Sequence, residues 1–221
     1  MMLIKIIDLL LPSYKAFKVN KKLKKELDIK KDKFDELKNE WISKIKDNTK
    51  SVINMAQDIN QTEFERKNSH EQKAQSLLSS VGVVISLITI FFAIFDQNWQ
   101  KKYYMAFFII ILFFSILNFL LTGICAAKSL RLGEFYILNN DTLRTCLESN
   151  HNIINENWIA EKITNLDFNK DTLLIRSNWL DAAQSHFLYG IYFLSITFIT
   201  ILINFINIKS IFDYIVHFLD C

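Results

Sequence analysis

The sequence contains few of the residues that end helices or fix loops. Its 221 residues include only four glycines and one proline, too few for the many tight turns of a sandwich, a barrel or a doubly wound sheet. The three cysteines, Cys125, Cys146 and Cys221, are odd in number and have no CxxC spacing. They predict neither a disulfide framework nor a structural zinc site. This composition favours long helices.

The sequence also lacks the motifs of enzymes. HExxH, GxGxxG, GxSxG and a Walker A phosphate loop are all missing. Cys146 and His151 lie five residues apart in a polar stretch, which is a weak indication of a nucleophile and its base. His186 is expected to be an interfacial histidine, with a pH-sensing gate as the alternative. We therefore predict no enzymatic activity, no metal and no cofactor.

Long uncharged runs are what the sequence has instead. The chain is 51% hydrophobic and 22% charged, and the two classes are segregated along it. Residues 77–95, 103–125 and 187–208 contain no charge, and about 20 mostly apolar residues suffice to cross a bilayer. We predict an all-α membrane protein with a transmembrane hairpin at 77–125 and a third transmembrane helix at 186–208.

The remaining segments are predicted to be helical but not membrane-spanning. Residues 1–76 form a cytosolic or interfacial region with a long amphipathic helix that starts near Tyr14, is capped by Ser13 and breaks near residues 47–51. Its apolar stripe is Leu23, Leu27, Phe34, Leu37, Trp41 and Ile45. This stripe packs on the same chain or forms a coiled coil with another copy. Residues 126–185 form a cytosolic helical segment and 209–221 an amphipathic tail, while residues 1–11 lie in the membrane interface or on the protein's own body.

Charge sets the predicted orientation. Residues 1–76 hold 17 Lys and Arg against 12 Asp and Glu, whereas residues 125–185 hold 6 against 8. Basic residues near membrane spans favour the cytoplasmic side. Six of them flank the two ends of the hairpin: Arg66, Lys67, Lys73, Lys128, Arg131 and Arg144. Only Lys101 and Lys102 lie in the hairpin turn, and only Lys209 follows the third span. We predict a multi-pass protein of the bacterial inner membrane with a cytoplasmic N-terminus. The basic excess suits an anionic leaflet as well as nucleic acid, but no nucleic-acid-binding motif is present, so no nucleic acid is expected.

Each of the three apolar runs carries small or polar residues at alternating steps of three and four. The first seam is Asn68, Gln72, Gln75, Ser79, Gly82, Ser86, Thr89, Ala93 and Asp96. The second seam is Ser115, Asn118, Thr122, Cys125 and Ser129. The third seam is His186, Gly190, Phe193, Thr197, Thr200, Asn204 and Asn207. A mean step of 3.5 keeps each seam on one face of its helix in a left-handed bundle.

Two interpretations of the seams remain open. In one, the seams face each other within one chain and hold the bundle together; in the other, one seam lines a water-filled path between assembled copies. The residues selected as a packing or pore-lining site are Ser79, Gly82, Ser86, Thr89, Ser115, Asn118, Thr122, Gly190, Thr197, Thr200 and Asn204. Gly82 and the serines are expected to allow close packing, and Asn118, Thr197, Thr200 and Asn204 to form hydrogen bonds between helices or with water. The spans contain no ring of charges and no proline, which argues against an ion-selective filter and against a secondary transporter.

The stretch EQKAQSLLSSVGVVISLI places a Lys-Ala pair just before a small-residue-rich first span. With the hairpin layout, this stretch resembles the small membrane effectors of bacterial anti-phage systems, the Pycsar transmembrane effectors and the SLATT-type effectors. The stretch IRSNWLDAAQSHFLYGIYFL, which leads into a further span, is more similar to the Pycsar type. The resemblance covers roughly residues 68–208. The long charged stretch 18–50 departs from the short N-terminus of those families.

That resemblance implies a non-enzymatic effector that oligomerises and permeabilises or depolarises the inner membrane during abortive infection. Its partners would be the lipid bilayer, further copies of the chain, and a cytosolic sensor protein or nucleotide signal. The alternative is a membrane anchor, an interaction module whose charged N-terminal helix recruits a soluble partner.

Overall fold

A computed structural model describes residues 11–95, 102–131 and 156–205. These residues form helices with no strand among them, which confirms the all-α prediction at that level. The helices are α1 (Pro12–Asp32), α2 (Phe34–Phe95), α3 (Lys102–Arg131) and α4 (Glu156–Phe205). The predictions for most of the first 11 residues, the hairpin turn, Cys146, His151 and the tail at 209–221 lie outside the described residues.

The break in the N-terminal helical region is at Lys33, not near residues 47–51 as predicted. Lys33 forms a turn in which its N–H bonds the carbonyls of Ile29 and Lys30 at 3.3 and 3.2 Å. The predicted break was wrong because Asp, Asn, Thr and Ser weaken a helix only slightly, whereas proline and glycine are absent there. The predicted Ser13 cap was also wrong: α1 begins at Pro12, whose fixed φ suits a first helical turn.

The chain divides into two compact units, which we name by their composition. The charged unit consists of the described residues up to Ser76 together with Cys125–Ala182. The apolar unit consists of Leu77–Ile124 and the described residues from Ala183 onward. Helices α2, α3 and α4 each contribute to both units, and the divisions fall where charged sequence gives way to apolar sequence.

In the charged unit the first half of α4 is the central helix. Its buried side chains recur on nearly every face, and they include Ile159, Ile163, Leu166, Leu173, Ile175 and Leu180. Helix α2 packs on it through the predicted amphipathic stripe: Phe34 lies 6.2 Å from Phe168 between ring centroids. The Trp41 indole N–H donates to Asp167 at 3.4 Å. These two members of the stripe therefore pack within the chain.

In the apolar unit three helical segments share one core. That core consists of Val81 and Ile88 of α2, Phe108, Leu112 and Phe119 of α3, and Ile201 of α4. Among the described residues, the segment Phe108–Arg131 is long and apolar enough to cross a membrane. This composition is compatible with membrane association of the protein.

Candidate functional site

The second and third seams lie against each other in the apolar unit. Ser115 is buried, and its hydroxyl donates a hydrogen bond to the Gly190 carbonyl at 2.8 Å. A carbonyl whose own helix already uses one lone pair can accept this second bond. Close approach of α3 and α4 at Gly190 makes the bond possible, since this position has no side chain between the two helices.

About one helical turn away on each helix, Asn118 and His186 form the second polar link between α3 and α4. The Asn118 amide Nδ2–H donates to the Phe114 carbonyl at 2.9 Å, which leaves Oδ1 to face the imidazole. Oδ1 lies 3.0 Å from His186 Nδ1. Because Oδ1 can only accept, this geometry assigns a hydrogen to Nδ1. His186 is buried among the side chains of the chain.

Gly190 is needed at the α3–α4 contact because the Phe119 ring lies directly over it. A Cβ built on Gly190 would lie 2.8 to 3.0 Å from three ring carbons of Phe119. The ring itself is fully buried and packs edge-on against Phe187, with 5.7 Å between centroids. The ring is therefore held on its other side and has little room to move away from residue 190.

The threonines of these seams form hydrogen bonds within their own helices. Thr122 donates to the Asn118 carbonyl at 2.9 Å, Thr197 to Phe193 at 2.9 Å and Thr200 to Ile196 at 2.8 Å. Threonine commonly bonds the carbonyl four residues earlier in a helix, which satisfies its hydroxyl without a second helix. Thr197 and Thr200 thus donate within α4, where interhelical bonds were expected. The side chain of Asn204 lies outside the described residues.

The first seam lies on the outer surface of α2. Its members Ser79, Gly82, Ser86 and Thr89 are all exposed. A Cβ built on Gly82 would meet no atom of another element within 4 Å. The hydroxyls of Ser86 and Thr89 donate to Gly82 and Ile85 of the same helix, both at 2.9 Å.

The buried stripe of α2 runs beside the first seam. Ala74, Val81 and Ile88 are its buried members in this stretch, and each precedes a seam residue by one position. One residue is a rotation of about 100° around an α-helix. The first seam therefore has the period of a packing face, but it lies about 100° around the helix from the face that the chain buries.

The candidate site thus has two parts. One is the contact between α3 and α4, which forms within the chain. The other is the small-residue surface of α2, which no other described element covers. The chain matches no protein-family model, and no similar curated protein or solved structure was found. Among residues 11–95, 102–131 and 156–205, no group of three or more His, Cys, Asp or Glu is placed to hold a metal ion.

The charged unit has polar links between helices that the sequence does not predict. Arg176 is buried in α4, and its guanidinium donates to the Glu71 carboxylate of α2 at 3.0 Å. Ser129 of α3 donates to the Arg176 carbonyl at 3.1 Å. Ser129 was assigned to the second seam, so the seam period did indicate its buried position. Nothing in the sequence pairs Glu71 with Arg176, which lie 105 residues apart.

His70 is a titratable group of the charged unit with a shifted pKa. Its Nδ1 is buried and has no hydrogen-bond partner in the described part of the chain. Burial lowers the pKa of His70, and the nearby positive charges of Lys73, Arg66 and Arg176 lower it further, while Asp181 acts in the opposite direction. The imidazole is therefore favoured in its neutral form.

Proposed function

We propose that this protein is a three-span helical membrane effector that self-associates through the first seam and permeabilises the bilayer. It acts without catalysis, in the bacterial inner membrane, with its N-terminus in the cytoplasm. The resemblance to small anti-phage effectors supports a role of that activity in abortive infection. The observation that carries the proposal is the outward-facing first seam, a close-packing surface that no other element of the described chain covers.

The contacts of the charged unit support an even number of membrane crossings between its first segment, which ends at Ser76, and its second segment, Cys125–Ala182. Asn20 of α1 and Ile175 of α4 are joined by a 3.2 Å hydrogen bond, and Lys30 pairs with Asp171. Segments that pack on each other lie on the same side of a membrane. If α3 crosses the bilayer, the chain must therefore cross once more between residues 76 and 125, and residues 77–95 are the remaining apolar run.

The surface of the apolar unit also supports a lipid environment. Large apolar side chains point outward from all three of its helical segments, with Val83 of α2 60% exposed, Phe113 of α3 61% and Tyr192 of α4 62%. Others with the same exposure pattern are Leu87, Ile110, Leu120, Ile124, Leu188, Phe198 and Ile199. Monomeric soluble proteins rarely expose so many contiguous apolar groups. Lipid tails are a solvent in which this exposure costs little.

In lipid, small residues on an outer helix face favour a neighbouring helix over acyl chains. Gly82 and the flanking Ser79 and Ser86 permit close approach of backbones, and packing of this kind drives helix association where no hydrophobic effect operates between helices. Because the second and third seams are occupied by each other, the first seam is the surface left for another copy. Both interpretations of the seams thus apply. The second and third seams contact each other within the chain, and the first seam contacts another copy.

The test is membrane potential in cells that express the protein, with and without phage challenge. We expect depolarisation with the natural sequence, loss of depolarisation with Gly82→Leu, and depolarisation retained with Val83→Leu. Val83 is the neighbouring exposed position outside the seam, so this control places the same leucine side chain beside the seam on the same helix. Retained depolarisation by Gly82→Leu at equal membrane abundance would show that the first seam is not the contact.

The same experiment separates the proposal from the membrane-anchor alternative. An anchor that recruits a soluble partner leaves the membrane potential unchanged in every variant, including the natural sequence with its trigger present. In that case we expect a soluble protein to copurify with the chain through its charged unit. Ion-selective currents in liposomes would instead indicate a channel, which the uncharged spans do not favour.

A further inference from the structure

The outer face of α1 combines exposed apolar side chains with lysines. Leu11 just before the helix and Tyr14 and Phe17 within it are 45, 49 and 53% exposed. They recur every three residues across the first two turns. Lys15, Lys18, Lys21 and Lys22 are exposed along the same stretch. Neither the α3–α4 contact nor the first seam involves this surface.

The opposite face of α1 is fixed on α4, which determines the direction in which the surface points. Asn20 is buried, donates to the Ile175 carbonyl at 3.2 Å and accepts from the Asn178 amide at 2.8 Å. Ala16, one turn earlier, is buried on the same side. Positions 14, 18, 21, 22 and 25 lie roughly opposite residues 16 and 20 on a helix with 3.6 residues per turn. The exposed tyrosine and lysines therefore point away from α4.

The charge of α1 selects the chemistry of what binds there. The helix contains eight lysines and three acidic residues in 21 positions. All three acidic residues, Glu26, Asp28 and Asp32, lie in its second half, beyond the apolar side chains. The first half therefore presents only positive charge around Leu11, Tyr14 and Phe17. A basic helix with apolar and aromatic side chains at its surface is suited to an anionic lipid leaflet, where rings enter the headgroup layer and lysines contact phosphates.

We propose that the first half of α1 is a docking surface for anionic lipid headgroups. Nucleic acid would also attract the lysines, but it offers no environment for an exposed leucine and phenylalanine. The surface is distinct from the first seam and does not depend on permeabilising activity. It binds lipid by charge and apolar insertion together, so removal of either component weakens the contact.

The test compares the full-length protein in nanodiscs of phosphatidylcholine with the protein in nanodiscs that also contain phosphatidylglycerol. Hydrogen–deuterium exchange of peptides that cover α1 is the readout. We expect slower exchange in α1 when phosphatidylglycerol is present. At 0.5 M NaCl, where the Debye length is about 4 Å, we expect a return to the phosphatidylcholine rate. Three lysines at an anionic surface contribute roughly 100-fold to the contact equilibrium.

Two variants and one control separate the components. Lys18→Gln, Lys21→Gln and Lys22→Gln combined, or Tyr14→Ser with Phe17→Ser, should each abolish the slower exchange. Met55→Ser, which removes an exposed apolar side chain from α2, should retain it. Unchanged exchange in α4 peptides shows that the variants remain folded.

Three results would overturn the proposal. One is equal α1 exchange in both lipids. A second is protection of α1 from exchange in phosphatidylcholine discs that increases with protein concentration, which indicates binding of a second copy. The third is protection by a DNA duplex in phosphatidylcholine discs equal to that by phosphatidylglycerol, which indicates nucleic acid. Because none of these readouts measures membrane potential, failure here leaves the proposed effector function untouched, and the reverse is also true.

Discussion

Two glycines of the same type of seam have opposite surroundings. Gly190 lies under the Phe119 ring, whereas Gly82 has open space where a side chain would begin. Alanine at either position gains about 1 kcal/mol of helix propensity. At Gly190 the added methyl group must also displace a ring that Phe187 holds in place.

We therefore predict that Gly190→Ala is less stable than Gly82→Ala by about 1–3 kcal/mol, the usual cost of overpacking a core. Helix propensity cancels in this comparison because both changes are glycine to alanine within a helix. Thermal unfolding of the purified protein in detergent, followed by circular dichroism, measures the difference. Equal melting temperatures for the two variants would mean that Phe119 can move aside and that the α3–α4 contact is loosely packed.

His70 makes the stability of the charged unit depend on pH. Its pKa is lowered in the folded protein by burial and by Lys73, so the unfolded chain binds a proton more readily. Above the unfolded pKa of about 6.5 both states are neutral and nothing is lost. As the pH falls below about 6.5, protonation favours the unfolded chain and the free energy of unfolding decreases.

We expect the melting temperature to fall between pH 7.5 and 5.5, and to fall less in His70→Gln, which has no titrating ring. The other histidines are common to both proteins, so the difference between the two slopes reports His70. The measurement is the melting temperature in detergent at a series of pH values. Parallel slopes would show that the His70 ring gains its proton in the folded state without cost.

At the scale of the elements, the sequence predicted the fold more fully than the site. The uncharged runs and the scarcity of glycine and proline led to long helices, and α1 to α4 are long helices. The turn at Lys33 was missed because no proline or glycine marks it. Next to that turn Phe34 packs on Phe168, a contact that the sequence cannot show.

The seams show why period alone does not identify a packing face. Each of the three repeats at 3.5 residues, yet Ser115 and Gly190 meet inside the apolar unit while Ser86 points outward. On α2, Val81 and Ile88 hold the buried face one position away from Gly82 and Thr89. A large aliphatic side chain buries more area than a serine, so burial follows the larger residues and the polar repeat takes the adjacent surface.

The pairing of Asn118 with His186 was partly within reach of the sequence. Both residues belong to seams of equal period, and this period predicts that facing seams meet in register. Which two seams face each other depends on how three helices pack, and a single chain gives no signal for that choice. The ion pair between Glu71 and Arg176 had no sequence signal at all, because its two members lie on helices far apart in the chain.

At the scale of the whole molecule, the contacts of the charged unit lead to a topology that labelling can test. Helices α1 and α4 are joined by the bonds of Asn20 and by the Lys30–Asp171 pair. A single crossing by α3 would separate them, whereas two crossings return the chain to the same side. For a chain that crosses twice, we predict that residues 96–102 lie on the other side of the membrane.

We predict that a membrane-impermeant maleimide added to intact spheroplasts labels Gln97→Cys but neither Lys18→Cys nor Lys170→Cys. All three should react once the membrane is permeabilised. Cys146 and Cys221 are replaced by serine in each variant, while Cys125 is buried and can remain. Labelling of Lys18→Cys and Lys170→Cys to different extents in intact spheroplasts contradicts the packing of α1 on α4. Protection of all three contradicts the hairpin, because a chain that never crosses the membrane exposes no turn on the outside. Labelling of Lys18→Cys and Lys170→Cys without Gln97→Cys would show the opposite orientation to the one that the basic residues favour.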